Sequence, residues 1–314
     1  MYRSPLLVAL WGCLSMPALA ADADEWMSRF IEAEHRRSYS GTFVYEKDGN
    51  LSTHAVWQVA HDGVLRERLL QLDGEPVELV QGNGHSACMS DEVPAPIGVL
   101  QLWQAVPFDL ETLSRYYQFR LTGESRIAAR PAVVLVIEAR DQFRHSLELH
   151  LDRETALLLK SVVRDDQQLP LERLQFVSFD LSTASAEDFR PGEACKPVSH
   201  EPHSSVEQQA QWRLDWLPPG FRLLASETRP DPLSGVPVAW FGYGDGVARF
   251  SIFLEPLNEQ AADSMSRQIG STVAVSHRIS TQDGGVMATV LGDIPLGAAE
   301  RVAWSMRYTG GIGR

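Results

Sequence analysis

The sequence predicts an α+β chain of two domains: a strongly curved antiparallel sheet with helices at the amino-terminal end, and a smaller α+β domain after it. Three observations carry this. The run Gly41–Pro76 reads as three β-strands, with Asp48-Gly49-Asn50, His61-Asp62-Gly63 and Asp73-Gly74 supplying residues that tolerate positive φ at the turns. Further short segments rich in β-branched and aromatic residues follow at hairpin spacing, which favours a meander with a helix or two covering its apolar face. From Phe189 to Gln211 the chain turns to Pro, Ser, Glu, Gln and His, the composition of a linker. With 314 residues there is room for about two domains of roughly 100 to 200 residues each. The expected division is 1–20, 21–188, 189–211 and 212–314.

Residues 1–20 have the form of a secretory signal peptide: Arg3, an apolar stretch Leu6–Leu14, and small residues at Ala18-Leu19-Ala20. A lipoprotein signal ending at Cys13 fits less well, because Trp11 stands where a small residue is expected. No later segment approaches the roughly 20 apolar residues of a membrane span, so the mature chain is expected to be soluble. Asp22–Ser38 follows as a helix, with Trp26, Phe30 and Ala33 at helical spacing and Asp22, Asp24 and Glu25 in its first turn.

After the three strands, further strands are expected at 76–81, 84–89, 117–128, 133–140, 146–152, 157–164 and 170–181, with a short helix at 109–116. In the third strand, Arg66, Arg68, Leu70 and Leu72 share one face, and Leu65, Glu67, Leu69 and Gln71 the other. The second domain should carry strands at 222–229, 236–243, 248–254, 272–280 and 286–292. Helical pattern appears at 259–269 and 295–306, the latter with Pro295 placed for a first turn.

Charge and motifs exclude several functions. The formal charge is −13; loss of residues 1–20 removes Arg3 alone and makes it −14. An acidic chain lacks the basic footprint that nucleic acid requires and has no bulk attraction to anionic headgroups. There is no Gly-x-Ser-x-Gly elbow, His-Glu-x-x-His helix, P-loop or Rossmann fingerprint, so no enzyme is expected. Cys195, His200, Glu201 and His203 resemble a metal set, but they fall in the linker, where nothing would hold them rigid. Asp165-Asp166 and the Asp231/Asp245 pair read as turn residues. Without Cys13, Cys88 and Cys195 remain; in an oxidising compartment they can pair, and they can equally stay free, since sequence supplies no Cα separation.

Six blocks in order, GTFVYE (41–46), STHAVW (52–57), RERLLQLDG (66–74), ELHLDRET (148–155), WLPPGF (216–221) and YGDGVARFSIFLEPL (243–257), resemble the MucB/RseB family of periplasmic regulators of envelope-stress sigma factors. The resemblance implies a half-open barrel like the carriers LolA and LppX, then a smaller α+β domain, and a periplasmic location without cofactor. It implies a partner, the periplasmic region of a MucA- or RseA-type anti-sigma factor, shielded from regulated proteolysis until lipopolysaccharide or lipoprotein acyl chains release it. A lipid or lipoprotein carrier is the alternative, and a passive scaffold a third reading; a homo-oligomer stays open.

On that basis Arg66, Arg68, Trp240, Tyr243 and Arg249 are the candidate partner contacts, on a surface shared by both domains, because buried aromatic and arginine side chains dominate interface energetics. Core packing is the competing role for Trp240 and Phe250, and WLPPGF is expected to be a rigid turn into the second domain. The apolar stretch 94–103 either folds back as a plug or lines an acyl-chain groove, with Leu100 in it and Trp57, Trp103, Tyr116 and Tyr117 as edge residues.

Overall fold

The computed structural model describes residues 18–83, 85–90, 110–182, 184–198, 211–230, 235–257, 264–281 and 284–309. Helix α1 (Ala18–Arg36) leads into β1 (Tyr39–Lys47), β2 (Asn50–His61) and β3 (Val64–Gln71). The helix starts a turn earlier than expected, because the alanines before Asp22 are strong helix formers; its first turn therefore contains no acid. The turns at Asp48-Gly49 and Asp62-Gly63 have φ of 52°, 75°, 50° and 76°, the left-handed pairs that suit the twist of two-residue hairpins.

The sheet continues through β4 (Glu78–Gly82) and β5 (His85–Met89). After α2 (Leu110–Leu113) come β6 (Tyr117–Ile127), β7 (Arg130–Ala139), β8 (Ser146–Asp152), β9 (Leu158–Arg164), β10 (Pro170–Asp180) and the two-residue β11 (Lys196–Pro197). These eleven strands form one open sheet in the order β11-β5-β4-β3-β2-β1-β10-β9-β8-β7-β6. Helix α1 contacts β2, β6 and β7. At about 4.8 Å per strand, β2 and β6 would lie roughly 29 Å apart in a flat sheet, while a helix is only about 10–12 Å across. The sheet must therefore curl around the helix. Ala23, Met27 and Phe30 fill the hollow against Phe119, Leu135, Ile137, Leu149 and neighbours, and Ala33 continues the core toward Phe43, Val56, Leu69 and Leu174.

One polar row crosses this inner face. Gln58, Glu67 and Gln81 are paired in register on β2, β3 and β4 and all are buried. Gln81 Nε2 donates to Glu67 at 3.0 Å, and Gln58 Nε2 donates to the carbonyls of Glu34 and Arg37 at the end of α1. Glu34 is buried beside this row, and its carboxylate accepts the Leu158 N–H at 3.3 Å. Burial, with Glu67 adding repulsion, pushes the Glu34 carboxyl up to about 7.

On the outer face, Cys88 and Cys195 form a disulfide (Cα–Cα 5.4 Å) packed on Val80. The disulfide, the β11–β5 pairing and the Arg68–Glu78 pair strap the segment after β10 across β3–β5. Arg68 donates to Glu78 at 2.7 Å and to the Asp188 carbonyl at 2.9 Å, and Glu78 also accepts the Gly192 N–H.

The second sheet contains β13 (Arg222–Pro230), β14 (Pro237–Gly244), β15 (Arg249–Pro256), β16 (Met265–Ile269), β17 (Thr272–Thr281) and β18 (Gly284–Gly292), ordered β13-β14-β15-β18-β17-β16. Helix α3 (Leu296–Ser305) covers one face, and β12 (Trp212–Leu214) pairs with β19 (Met306–Tyr308) beside it. Phe221, Phe241, Phe250, Ile252, Val275, Val290 and Val302 make this core. The helix expected over 259–269 is not found at its described end. Met265–Ile269 is an exposed edge strand, because Gly270 (φ 58°) turns the chain straight back into β17. The stretch 94–103, with Leu100 and Trp103, lies outside the described residues, as does most of the expected linker.

Candidate functional site

The two sheets meet at two joints. In the first, Arg144, whose side chain is 0% exposed, donates to Asp245 Oδ2 at 2.7 Å, to Asp141 at 3.1 Å and to the Pro219 carbonyl at 2.5 Å. Its guanidinium lies 4.8–5.3 Å from the ring centroids of Tyr116, Phe221 and Tyr117. The Tyr117 hydroxyl donates to the same Asp245 oxygen at 2.9 Å, and burial with that carboxylate pushes the phenol well up. Asp245 Oδ1 meanwhile accepts the N–H groups of Val247 and Ala248. Asp245 is thus the turn residue its sequence context suggests, and a buried interdomain partner as well. Gly220 has φ 86° and abuts the Tyr116 ring, where a Cβ would collide. Trp216 of the same WLPPGF segment meets Phe143 edge-on at 5.1 Å, with Arg301 stacked 4.0 Å above it.

In the second joint, the tip of the β16–β17 hairpin packs against the paired ends of β1 and β10, at Lys47, Leu171 and Glu172. Lys47 Nζ donates to Thr272 Oγ1 at 2.5 Å and pairs with Glu172 at 3.4 Å and Asp293 at 4.0 Å. The Ser271 hydroxyl donates to Glu172 and, at 3.3 Å, to Asp293, while Thr272 donates to Asp293 at 2.6 Å. Burial, partly offset by Lys47, pushes the Glu172 carboxyl up. A Cβ on Gly270 would stand 2.6 Å from Lys47 Cγ and 2.8 Å from the Leu171 carbonyl, so only glycine seats there.

A groove opens on each side of this hairpin. One, of about 510 Å³, is bounded by Glu46, Asp48, the 170–173 segment, Gln268 and Gly270. The other, of about 400 Å³, runs past Glu138, Asp141, Arg144, His145, Asp165 and Asp166 to Gln268 and Pro295. Gln268 borders both, so the edge strand β16 stands between two interdomain grooves. Acidic side chains predominate along their walls. His145 is 7% exposed, and burial holds its imidazole below the ordinary value, hence neutral near pH 7.

The structure distributes the expected site residues differently. Arg66 is exposed on the outer face of β3, whereas Arg68 is 15% exposed and committed to Glu78 and Asp188, so it fastens the strap instead of presenting a free anchor. Trp240 lies half-buried on the helix-free face of its sheet, against Gly242. Tyr243 stacks on the core residue Phe250 at 5.2 Å. Arg249 is half-buried near Asp293, and this burial lowers its guanidinium's pKa. None of the five borders either groove. Of the lipid-edge candidates, Trp57 faces the outer side, where Arg68 covers it at 5.2 Å; a period-two strand that buries Val56 and Gln58 inward must turn Trp57 outward. Tyr116 and Tyr117 build the first joint. Sequence reasoning missed Arg144, Lys47, Glu172 and Ser271, whose partners lie far away in the chain.

Ser125, His150 and Glu148 form a relay-like chain, at 2.7 Å and 3.0 Å, but none of them borders either groove. Among the described residues no cluster of three His, Cys, Asp or Glu side chains could hold a metal, and no helix is long and apolar enough to cross a membrane. What the fold offers is recognition: two domains clamped at two joints around two grooves define a two-domain binding protein. The chain belongs to the MucB/RseB family. The MucB/RseB N-terminal domain description matches residues 22–198 and the C-terminal domain description residues 206–307.

Among curated proteins, the chain is 46% identical to the sigma factor AlgU regulatory protein MucB of Pseudomonas aeruginosa, covering 98% of each. It is 28% identical to the sigma-E factor regulatory protein RseB of Salmonella typhimurium, over 95% of this chain and 98% of that one. Among solved structures, the Pseudomonas aeruginosa MucA/MucB complex matches at TM-score 0.78 and 44% identity, over 92% of this chain and all of that one. A crystal structure of MucB alone matches at 0.74 and 44%, over 92% and 98%.

Proposed function

We propose that this protein is a periplasmic negative regulator which binds the periplasmic region of a transmembrane anti-sigma factor, shields it from regulated proteolysis, and is released by lipid or mislocalised lipoprotein. The observation that carries this is the full-length likeness to a regulator solved in complex with MucA. The interdomain cleft supports it, because a cleft shared by two domains can enclose an extended segment along much of its length. Residues 1–20 serve as the signal peptide that delivers the chain to the periplasm, and the protein acts by binding, without catalysis.

Occupancy sets the gate. At a free concentration about 100-fold above the dissociation constant, about 1% of the partner is exposed, equivalent to about 2.7 kcal/mol. A lipid that cannot share the protein with the partner raises that fraction, and linkage makes the antagonism mutual. An acyl chain entering the hollow of the large sheet would have to displace Met27 and Phe30 of α1, which gives lipid a means of altering the domain instead of merely occupying it.

The test is proteolysis of the purified periplasmic segment of the anti-sigma factor, with and without this protein, then with lipopolysaccharide or an acylated peptide added. Protection that lipid reverses is the expected result. Tight lipid binding without protection would replace this reading with that of a carrier.

A further inference from the structure

The two joints differ in what separation leaves behind. In the first, the charged partners come from opposite domains: Arg144 belongs to the large sheet and Asp245 to the small one, and their side chains are 0% and 1% exposed. Pulling them apart strands Asp245 without its cation and removes the acceptor of Tyr117, which is costly for buried groups. In the second joint each side has an internal partner. Lys47 and Glu172 both belong to the large sheet and pair with each other, while Ser271 and Thr272 both reach Asp293 within the small domain. Withdrawing the hairpin tip breaks two hydroxyl contacts, to Lys47 and Glu172, the long 4.0 Å Lys47–Asp293 pair and the contact of His145 with the Ser271 backbone, but it leaves Lys47 paired with Glu172 and Asp293 still held by its own hydroxyls.

We infer that the joint is asymmetric: Arg144–Asp245–Tyr117 is a pivot, and the Gly270–Thr272 tip is a releasable latch whose seating sets the width of the interdomain cleft. The position of the tip fits this role. Gln268 borders both grooves and Gly270 borders one, so withdrawal merges the two compartments into one wider cleft. A cavity of about 30 Å³ lined by His145, Leu147, Glu172, Ala248, Ser271 and Asp293 lies behind the tip, a packing gap of the kind a reversible contact leaves. A hinge with one fixed and one releasable contact rocks instead of separating. Any ligand that binds the wide and narrow clefts unequally shifts the balance between them. That the cleft holds the anti-sigma segment rests on the function proposed above; the latch itself does not.

The test uses the full-length mature protein with its disulfide intact, spin-labelled at Ser114→Cys and Ser280→Cys, one exposed position in each domain. Pulsed dipolar spectroscopy should give one narrow distance distribution for the parent and a shifted or broadened one for Gly270→Val, whose side chain cannot enter the seat. Lys47→Glu, which sets a carboxylate against Glu172 and Asp293, should act in the same direction and serves if Gly270→Val does not fold. Affinity for the synthetic periplasmic segment of the anti-sigma factor should fall at least about tenfold, the equivalent of 1.4 kcal/mol. An unchanged distribution in both variants overturns the latch whatever the affinity does. A shifted distribution with unchanged affinity upholds the latch and removes the cleft as the partner's site.

Discussion

Glu34→Gln isolates the polar row inside the curved sheet. In the folded protein this carboxyl titrates at about 7, against 4.5 for the ordinary group. Below pH 4.5 it is neutral in both folded and unfolded chains and costs nothing. Between 4.5 and 7 the unfolded chain gives up the proton while the folded one keeps it, so stability falls as pH rises, and the loss is complete above about 7. At roughly 1.4 kcal/mol per unit, a displacement of about 2.5 units corresponds to about 3 kcal/mol. Glutamine keeps an oxygen for the Leu158 N–H and cannot ionise. Urea unfolding followed by tryptophan fluorescence should therefore show the variant more stable than the parent by up to about 3 kcal/mol at pH 8, with the difference vanishing near pH 4. An advantage that does not change with pH, or a parent that is the more stable at pH 8, would refute the assignment of the titrating group to Glu34.

Two further outcomes follow from the outer face. Arg68→Glu sets a carboxylate against the buried Glu78 and frees the 188–192 segment, so thermal unfolding should show a loss of about 3–5 kcal/mol, whereas the exposed Arg66→Glu should stay within about 0.5 kcal/mol. Cys195→Ser opens a loop with a sequence separation of 107. The chain-entropy argument puts the cost near 4–5 kcal/mol, and denaturant midpoints of the reduced parent should match those of the variant.

The pairing of β10 with β1, which sends β5 and β6 toward opposite ends of the large sheet in place of a sequential meander, is long-range and was not legible, but the hairpin neighbours were, because turns announce themselves locally: Asp48-Gly49 and Asp62-Gly63 need nothing beyond their neighbours to specify left-handed φ. Phe250 was legible as core for the same reason, being one of an alternating apolar set. Strand β16 was not, since Met, Gln and Arg favour a helix and the strand buries no face that would impose a period of two. The joints were illegible for a different reason. Tyr117, Arg144 and Asp245 are brought together only by the packing of two sheets, and no spacing rule links residues 101 positions apart. Arg68 has a residue type that suits an interface, and only the fold reveals that Glu78 and Asp188 hold its guanidinium.

The disulfide also decides how the molecule carries tension. The chain that leads to the small domain leaves the large sheet just beyond Cys195, after the two-residue β11, and Cys195 is bonded to Cys88 in the early part of the same sheet. A pull applied between the small domain and the amino terminus passes through the sulfur bridge and then along β5 to β1. Everything from residue 89 to 194, including β6 to β10, stays off the loaded path. Single-molecule stretching of the oxidised protein should thus release a shorter contour than that of the reduced one, by the roughly 106 bypassed residues at about 3.3–3.6 Å each.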